Sequence, residues 1–312
     1  MICALAGGVG GARLADGLAQ AGLDDLRIVV NTGDDFVHLG LDICPDLDTV
    51  MYTLAGLAHP VHGWGIENDT AHAMSMLERY HGTTWFQLTD RDIGTHLYRT
   101  DRLRQGHRLT DITTDMARCL GITAHLLPMA DTRVATRVLT PVGELSFQDY
   151  FVRRRHQDKV LSIRWDGLDE AVPTPDVMHA VREAQAIVLC PSNPMVSIGP
   201  ILALPALRET LRRRHVPRLA VSPIIGGQAL KGPADQMLVS LGHESSALGV
   251  AKLYADILDA FVMDRADAAL KPAVEALGLR VLVTDTIMRD RTDRLRLARE
   301  ILEFARTVPQ PR

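Results

Sequence analysis

Ile2-Cys3-Ala4-Leu5-Ala6-Gly7-Gly8-Val9-Gly10-Gly11-Ala12-Arg13 decides the reading of this chain, because an apolar strand runs directly into four glycines within five positions. Bare Cα atoms let backbone approach a ligand and permit positive φ, so successive amides can converge on an anion. Ala12 to Ala19 reads as a helix. The loop would therefore also stand at a helix N-terminus, where partial positive charge favours phosphate. Strand, glycine loop and helix predict the opening of a nucleotide-binding α/β domain; the bland alternative is a tight turn with no ligand.

Two better-known fingerprints fit badly. A P-loop needs Gly-Lys-Ser/Thr, and here Gly11 is followed by Ala12 and Arg13. The dinucleotide pattern begins at Gly8-Val9-Gly10, but its third small position falls on Arg13, where close helix-to-strand packing would be lost. The second strand, Leu26 to Val30, ends in Asn31 rather than a ribose-binding acid.

A chain of 312 residues can bury a large core. Its formal charge of −4, with basic residues scattered, argues against nucleic acid as partner. No apolar run is long enough to span a membrane, and the apolar start has no charged flank of a signal peptide. Cys3, Cys44, Cys119 and Cys190 lie far apart, which suggests neither a zinc site nor a disulfide framework and suits a reducing cytoplasm.

Six strands are expected at Ile2–Ala6, Leu26–Val30, Ala186–Cys190, Arg218–Val221, Ala260–Met263 and Arg280–Val283, separated by helical patterns of crossover length. That predicts a Rossmann-like, doubly wound, mainly parallel α/β sheet in a single domain over 1–312. Apolar residues at helical spacing predict a helical insertion at about 48–125, over the ligand edge of the sheet. A β-hairpin is expected near 134–147, turning at Thr140-Pro141-Val142-Gly143.

Four further segments carry chemistry-bearing residues. Asn31-Thr32-Gly33-Asp34-Asp35 follows the second strand, and ligands of open parallel sheets bind beyond strand carboxyl ends. It reads equally as a plain turn. Asp46 and Asp48 stand two apart, which in an extended loop aims both carboxylates one way and suits a hard cation holding phosphates. Alternatively Asp48 caps a helix at Thr49–Leu57, with Asp46 favouring its dipole. Arg91, between Asp90 and Asp92, reads as a salt-bridged surface residue or as a fork onto phosphate or a planar ligand. His96 reads as a structural histidine, and Trp64 as core packing or the wall of a flat ligand. Cys190-Pro191-Ser192-Asn193-Pro194 and Val221-Ser222-Pro223-Ile224-Ile225-Gly226-Gly227 place small polar groups at two further strand ends.

The ordered set Gly7 to Gly11, Asn31 to Asp35, Pro45 to Val50, Trp64 to Asp69, Asp90 to Asp92, Pro191 to Pro194 and Ser222 to Gly226 resembles the phospholactate transferase family of coenzyme F-420 biosynthesis. The resemblance spans nearly the whole chain. It implies a Mg²⁺-dependent homodimer that transfers a phosphorylated three-carbon acid from a GDP-activated donor to the ribityl hydroxyl of the deazaflavin Fo, releasing GMP. By the same resemblance, Gly8, Gly10, Gly11, Asn31, Ser192, Asn193 and Ser222 would hold the donor nucleotide. Asp48 and Arg91 would be catalytic and would touch Fo with Trp64, and Asp48 and Asp46 would carry the metal. Gly33-Asp34-Asp35 resembles the bacterial branch, whose donor is generally the enolpyruvyl one; 2-phospho-L-lactate is the other acid. A related glycine-rich family that binds nucleotide sugars without evident catalysis is the alternative.

Overall fold

The structure, a computed structural model, describes residues 1–309. The strands are β1 (Ile2–Ala6), β2 (Leu26–Val30), β3 (Phe36–His38), β4 (Leu41–Ile43), β5 (His125–Pro128), β6 (Ala135–Thr140), β7 (Gly143–Ser146), β8 (Ser162–Asp166), β9 (Ala186–Leu189), β10 (Arg218–Val221), β11 (Ile224–Ile225), β12 (Gln228–Ala229), β13 (Ala260–Asp264) and β14 (Arg280–Thr284). The α-helices are α1 (Gly8–Gln20), α2 (Pro45–Leu54), α3 (His72–Arg79), α4 (Asp90–Arg104), α5 (Leu109–Cys119), α6 (Pro175–Glu183), α7 (Ile198–Ala203), α8 (Leu207–Arg212), α9 (Ala234–Ser240), α10 (Ala247–Tyr254), α11 (Lys271–Glu275) and α12 (Arg291–Thr307).

β1 is apolar at every position because both faces of the sheet are covered. Cys3 and Leu5 enter one core while Ala4 and Ala6 enter the other, the period-two alternation of a strand. β2 and β9 flank β1 in parallel register, with Ala4 opposite Ile28 and Val188. The sheet has seven strands in the order β14-β13-β10-β9-β1-β2-β5, and every pairing is parallel. This is a Rossmann-like, doubly wound α/β fold, as the strand and helix alternation predicts. β5 is the strand the pattern does not reveal: His125-Leu126-Leu127-Pro128 offers two apolar letters and ends on proline at the sheet edge.

The strand order reverses direction between β1 and β9, and ligands of such sheets bind in the crevice opened there. α1 leaves β1 at this point. It begins at Gly8 rather than Ala12, so the glycines are its first turn and not a separate loop. Gly11 brings that turn onto β1, where an added Cβ would meet Ala6 Cα at 3.3 Å. The close packing that Arg13 was expected to forfeit is thus kept, and Arg13 turns aside to donate to the Met288 carbonyl at 3.0 Å.

Between β2 and β5 the chain makes the β3–β4 hairpin and helices α2 to α5. β6 pairs antiparallel with β7 and also with β8, a third strand that the sequence pattern does not show. Cys3, Cys44 and Cys190 are buried free thiols and Cys119 is exposed. Among the described residues, no helix is long and apolar enough to cross a membrane.

Candidate functional site

A cavity of about 720 Å³ opens at the carboxyl ends of β1, β9 and β10, within the range of small-molecule sites. Gly8, Val9 and Gly10 line it from the first turn of α1, whose leading amides have no partner within the helix. Ser192, Asn193 and Ser222 line it from the strand ends. Ser192 Oγ accepts from the Gly7 amide at 3.1 Å, and Ser222 Oγ donates to the Ile224 carbonyl at 2.8 Å. An added Cβ at Gly10 would overlap the Pro191 carbonyl oxygen, so this glycine is needed for a close approach of two loops.

Two residues expected on the donor lie behind this wall instead. Asn31 is fully buried: its amide nitrogen donates to Asp46 Oδ2 at 2.9 Å and to the Val196 carbonyl at 3.0 Å, while its oxygen accepts from the Gly33 amide. It braces three segments and does not line the cavity. Gly11 packs against Ser192 and Ala6.

The carboxylate pair also differs from its expectation. Pro45 sits in the first turn of α2, the cap position is Cys44, and Asp46 and Asp48 lie inside that turn, so Asp48 caps nothing. Two residues along a helix are separated by roughly 200°. The two carboxylates therefore take different partners. Asp46 Oδ1 accepts from the Gly8 amide at 2.8 Å and Oδ2 from Asn31, which staples α2 to the glycine turn. Asp48 turns to α4, where Arg99 forks onto both its oxygens, Nη1 lying 3.1 Å from Oδ2.

α4 brings Asp92, His96 and Arg99 to one face at positions i, i+4 and i+7. His96 Nε2 lies 3.1 Å from Asp92 Oδ2 but off the line of a hydrogen bond, and its Nδ1 lies 3.6 Å from Asp48 Oδ2. Tyr52 donates to Asp92 Oδ1 at 2.6 Å. Among the described residues, Asp48, Asp92 and His96 have ligand atoms mutually within 4.8 Å, a spacing compatible with a metal ion. Asp46, which the sequence spacing paired with Asp48, is outside that group, and Asp92 is within it. The stripe Asp92-x3-His96-x2-Arg99 was the available signal for this wall, and neither His96 nor Arg99 was read that way.

Asp34, Asp46, Asp48 and Asp92 all border the cavity. Burial raises the Asp34 carboxyl well above its usual range, the Asp46 charge pushes it further, and burial raises Asp46 as well. Buried carboxylates in excess of nearby cations call for protons or a bound cation.

Arg91 does not join Asp48. Its side chain is 52% exposed, outside the cavity lining; it donates to the Glu67 carbonyl and lies 3.5 Å from Asp69. Trp64 lines the cavity half-exposed and stacks on His62, ring centres 5.2 Å apart. Trp85 and Phe86 form an aromatic wall the sequence reading did not single out, with Phe86 edge-on to Phe36 at 4.9 Å.

Comparisons with known proteins give the family and the fold. Residues 2–294 match the family model described as 2-phospho-L-lactate transferase CofD. A protein of Streptomyces griseus subsp. griseus named phosphoenolpyruvate transferase is 41% identical over 98% of this chain and 99% of its own length. One of Methanosarcina acetivorans named 2-phospho-L-lactate transferase is 40% identical over 96% of each. A crystal structure of a UPF0052 family protein from Bacillus halodurans aligns with a TM-score of 0.67 at 14% identity, over 96% of this chain and 98% of that one, which speaks for the fold. The chain, a transferase, belongs to the 2-phospho-L-lactate transferase CofD family.

Proposed function

We propose that this transferase moves a phosphorylated three-carbon acid from a GDP-activated donor onto the ribityl hydroxyl of the deazaflavin Fo, in coenzyme F-420 biosynthesis, with release of GMP. One observation carries the reading: a single cavity joins the helix N-terminus of the glycine turn to a wall of buried carboxylates. The first suits phosphates and the second suits the cation that accompanies them. Phosphoenolpyruvate is the acid the reading takes, after the bacterial resemblance and the Streptomyces relatives.

The donor diphosphate would lie on the amides of Val9 and Gly10, with Ser192, Asn193 and Ser222 around the nucleotide. The acceptor ring would pass between Trp64 and the Trp85–Phe86 wall. The residues present fit Mg²⁺: Asp48 and Asp92 offer two carboxylates, and Mg²⁺ usually takes one or two together with substrate phosphates. When bound it would neutralise charge on the phosphate oxygens. Arg99 fixes Asp48, while Tyr52 fixes Asp92, so both carboxylates are held before substrate arrives. Phosphoryl transfer is mostly positioning and charge neutralisation, and the Fo hydroxyl would attack in line without an enzyme-bound intermediate.

Incubating the protein with Fo, Mg²⁺ and each guanylated acid, then resolving products by mass, tests the function and the choice of acid together. GMP release in the absence of Fo would contradict direct attack. The enzyme is read as a cytoplasmic homodimer, which sedimentation and fractionation check.

A further inference from the structure

Among the described residues, Arg13 and Lys231 are cations of the cavity lining that no carboxylate answers. Arg13 follows Val9 by four residues, so both side chains lie on one face of α1. Its Nη1 donates to the Met288 carbonyl, but its buried Nε has no hydrogen-bond partner. Lys231 reaches in from the segment after β12, and its ammonium donates to the carbonyls of Val61 and His62 at 2.7 Å each. An ammonium has three protons, so one is left over. Both residues line the cavity, and among the described residues neither forms an ion pair with an acid. Burial, and after it the Arg13 charge, push the Lys231 ammonium below its usual value.

The surrounding chain holds the pair together. Gly63 packs so closely on Val9 that an added Cβ would overlap the valine methyl, which seats the loop bearing Val61 and His62 against α1. Lys231 grips that same loop. Arg13, Lys231 and the open amides of Val9 and Gly10 therefore border one cavity, with the Gly8 amide already taken by Asp46.

We infer that Arg13 and Lys231 form a clamp for an oxyanion of the donor, either its diphosphate or the carboxylate of its three-carbon acid. An oxyanion there would take guanidinium protons that the Met288 carbonyl leaves free and the third ammonium proton, and would offset the repulsion that Arg13 exerts on Lys231. The two cations and the free amides then grip the donor's anionic groups, while carboxylates hold the metal cation. This rests on the proposed donor site, but the clamp can be tested without it.

Calorimetry on the full chain with inorganic pyrophosphate, GDP, guanosine and the guanylated phosphoenolpyruvate is the test, using Arg13→Gln and Lys231→Gln. Arg108→Gln, an exposed residue paired with Asp111, is the control. Each clamp variant should weaken its oxyanion ligands roughly tenfold to a hundredfold while guanosine binding is unchanged, as loss of a charge-assisted hydrogen bond implies. Loss for pyrophosphate and GDP places the clamp on the diphosphate; loss confined to the full donor places it on the acid carboxylate. Variants that bind all four ligands as the wild type does, with thermal melting showing them folded, overturn the clamp. ADP is titrated into the wild type as well: pyrophosphate binding that depends on Arg13 and Lys231, with ADP taken as readily as GDP, would sink the guanylate reading and leave the clamp standing.

Discussion

Replacing Arg99 by methionine should cost more stability than any surface ion pair in the molecule. Arg99 is 2% exposed and is the residue that answers the buried Asp48 carboxylate, with a further donation to the Asp42 carbonyl at 3.2 Å. Methionine keeps the length of the side chain and removes the charge. Asp48 is then left buried without its counter-charge, which costs about 3–5 kcal/mol. The exposed pair Arg108–Asp111 is worth no more than about 1 kcal/mol by comparison. Urea unfolding of Arg99→Met, Arg108→Met and the double variant Arg99→Met/Asp48→Leu measures the difference. The double variant should recover about 2 kcal/mol or more of the single variant's loss, because it removes the stranded charge as well. A loss below about 1 kcal/mol for Arg99→Met, or strict additivity in the double variant, would refute the reasoning.

Other consequences are equally concrete. Asp34 and Asp46 have raised folded-state values, so the stability they contribute is full below their unfolded value near 4 and is lost as pH rises through the folded values. Without divalent cation, Asp34→Asn should therefore be more stable than wild type at neutral pH and less dependent on pH from about 4 upward, as thermal melts would show. Gly10→Ala forces a methyl into the Pro191 carbonyl and should cost about 2 kcal/mol or more, whereas Gly94→Ala, mid-helix with open space, should gain up to about 1 kcal/mol by denaturant midpoint. Arg91→Ala should change stability by less than about 1 kcal/mol and raise the acceptor KM with kcat largely kept, since Arg91 ties the loop carrying Glu67 and Asp69 to α4. A collapse of kcat at unchanged KM would instead put Arg91 on the transferred phosphoryl group.

The sheet was legible because its buried strands are apolar on both faces and are punctuated by glycine and polar turns, as at β1 and β10. β5 and β8 were not, since a four-residue edge strand ending in proline and the mixed Ser162-Ile163-Arg164-Trp165-Asp166 lack such a run. The glycine turn was legible as a strand-to-helix junction, but its partners came from distant segments. Nothing local to Asn31 says that its amide will be consumed by Asp46 and Val196. The Asp46–Asp48 spacing misled because it was read on an extended backbone. Once Pro45 starts the helix, the same two residues face different neighbours.

The most direct test of the account is product formation with a guarded variant. Wild type with Fo, Mg²⁺ and the guanylated phosphoenolpyruvate should yield the Fo phosphodiester and GMP in equal amounts by mass spectrometry. Asp48→Asn, assayed at a temperature where circular dichroism shows it folded because it strands the buried Arg99 charge, should lose transfer by a factor on the order of a hundred or more, as expected for a metal-positioning carboxylate. Binding of the donor with no transfer to Fo by the wild type, or an unchanged rate in Asp48→Asn, would contradict it.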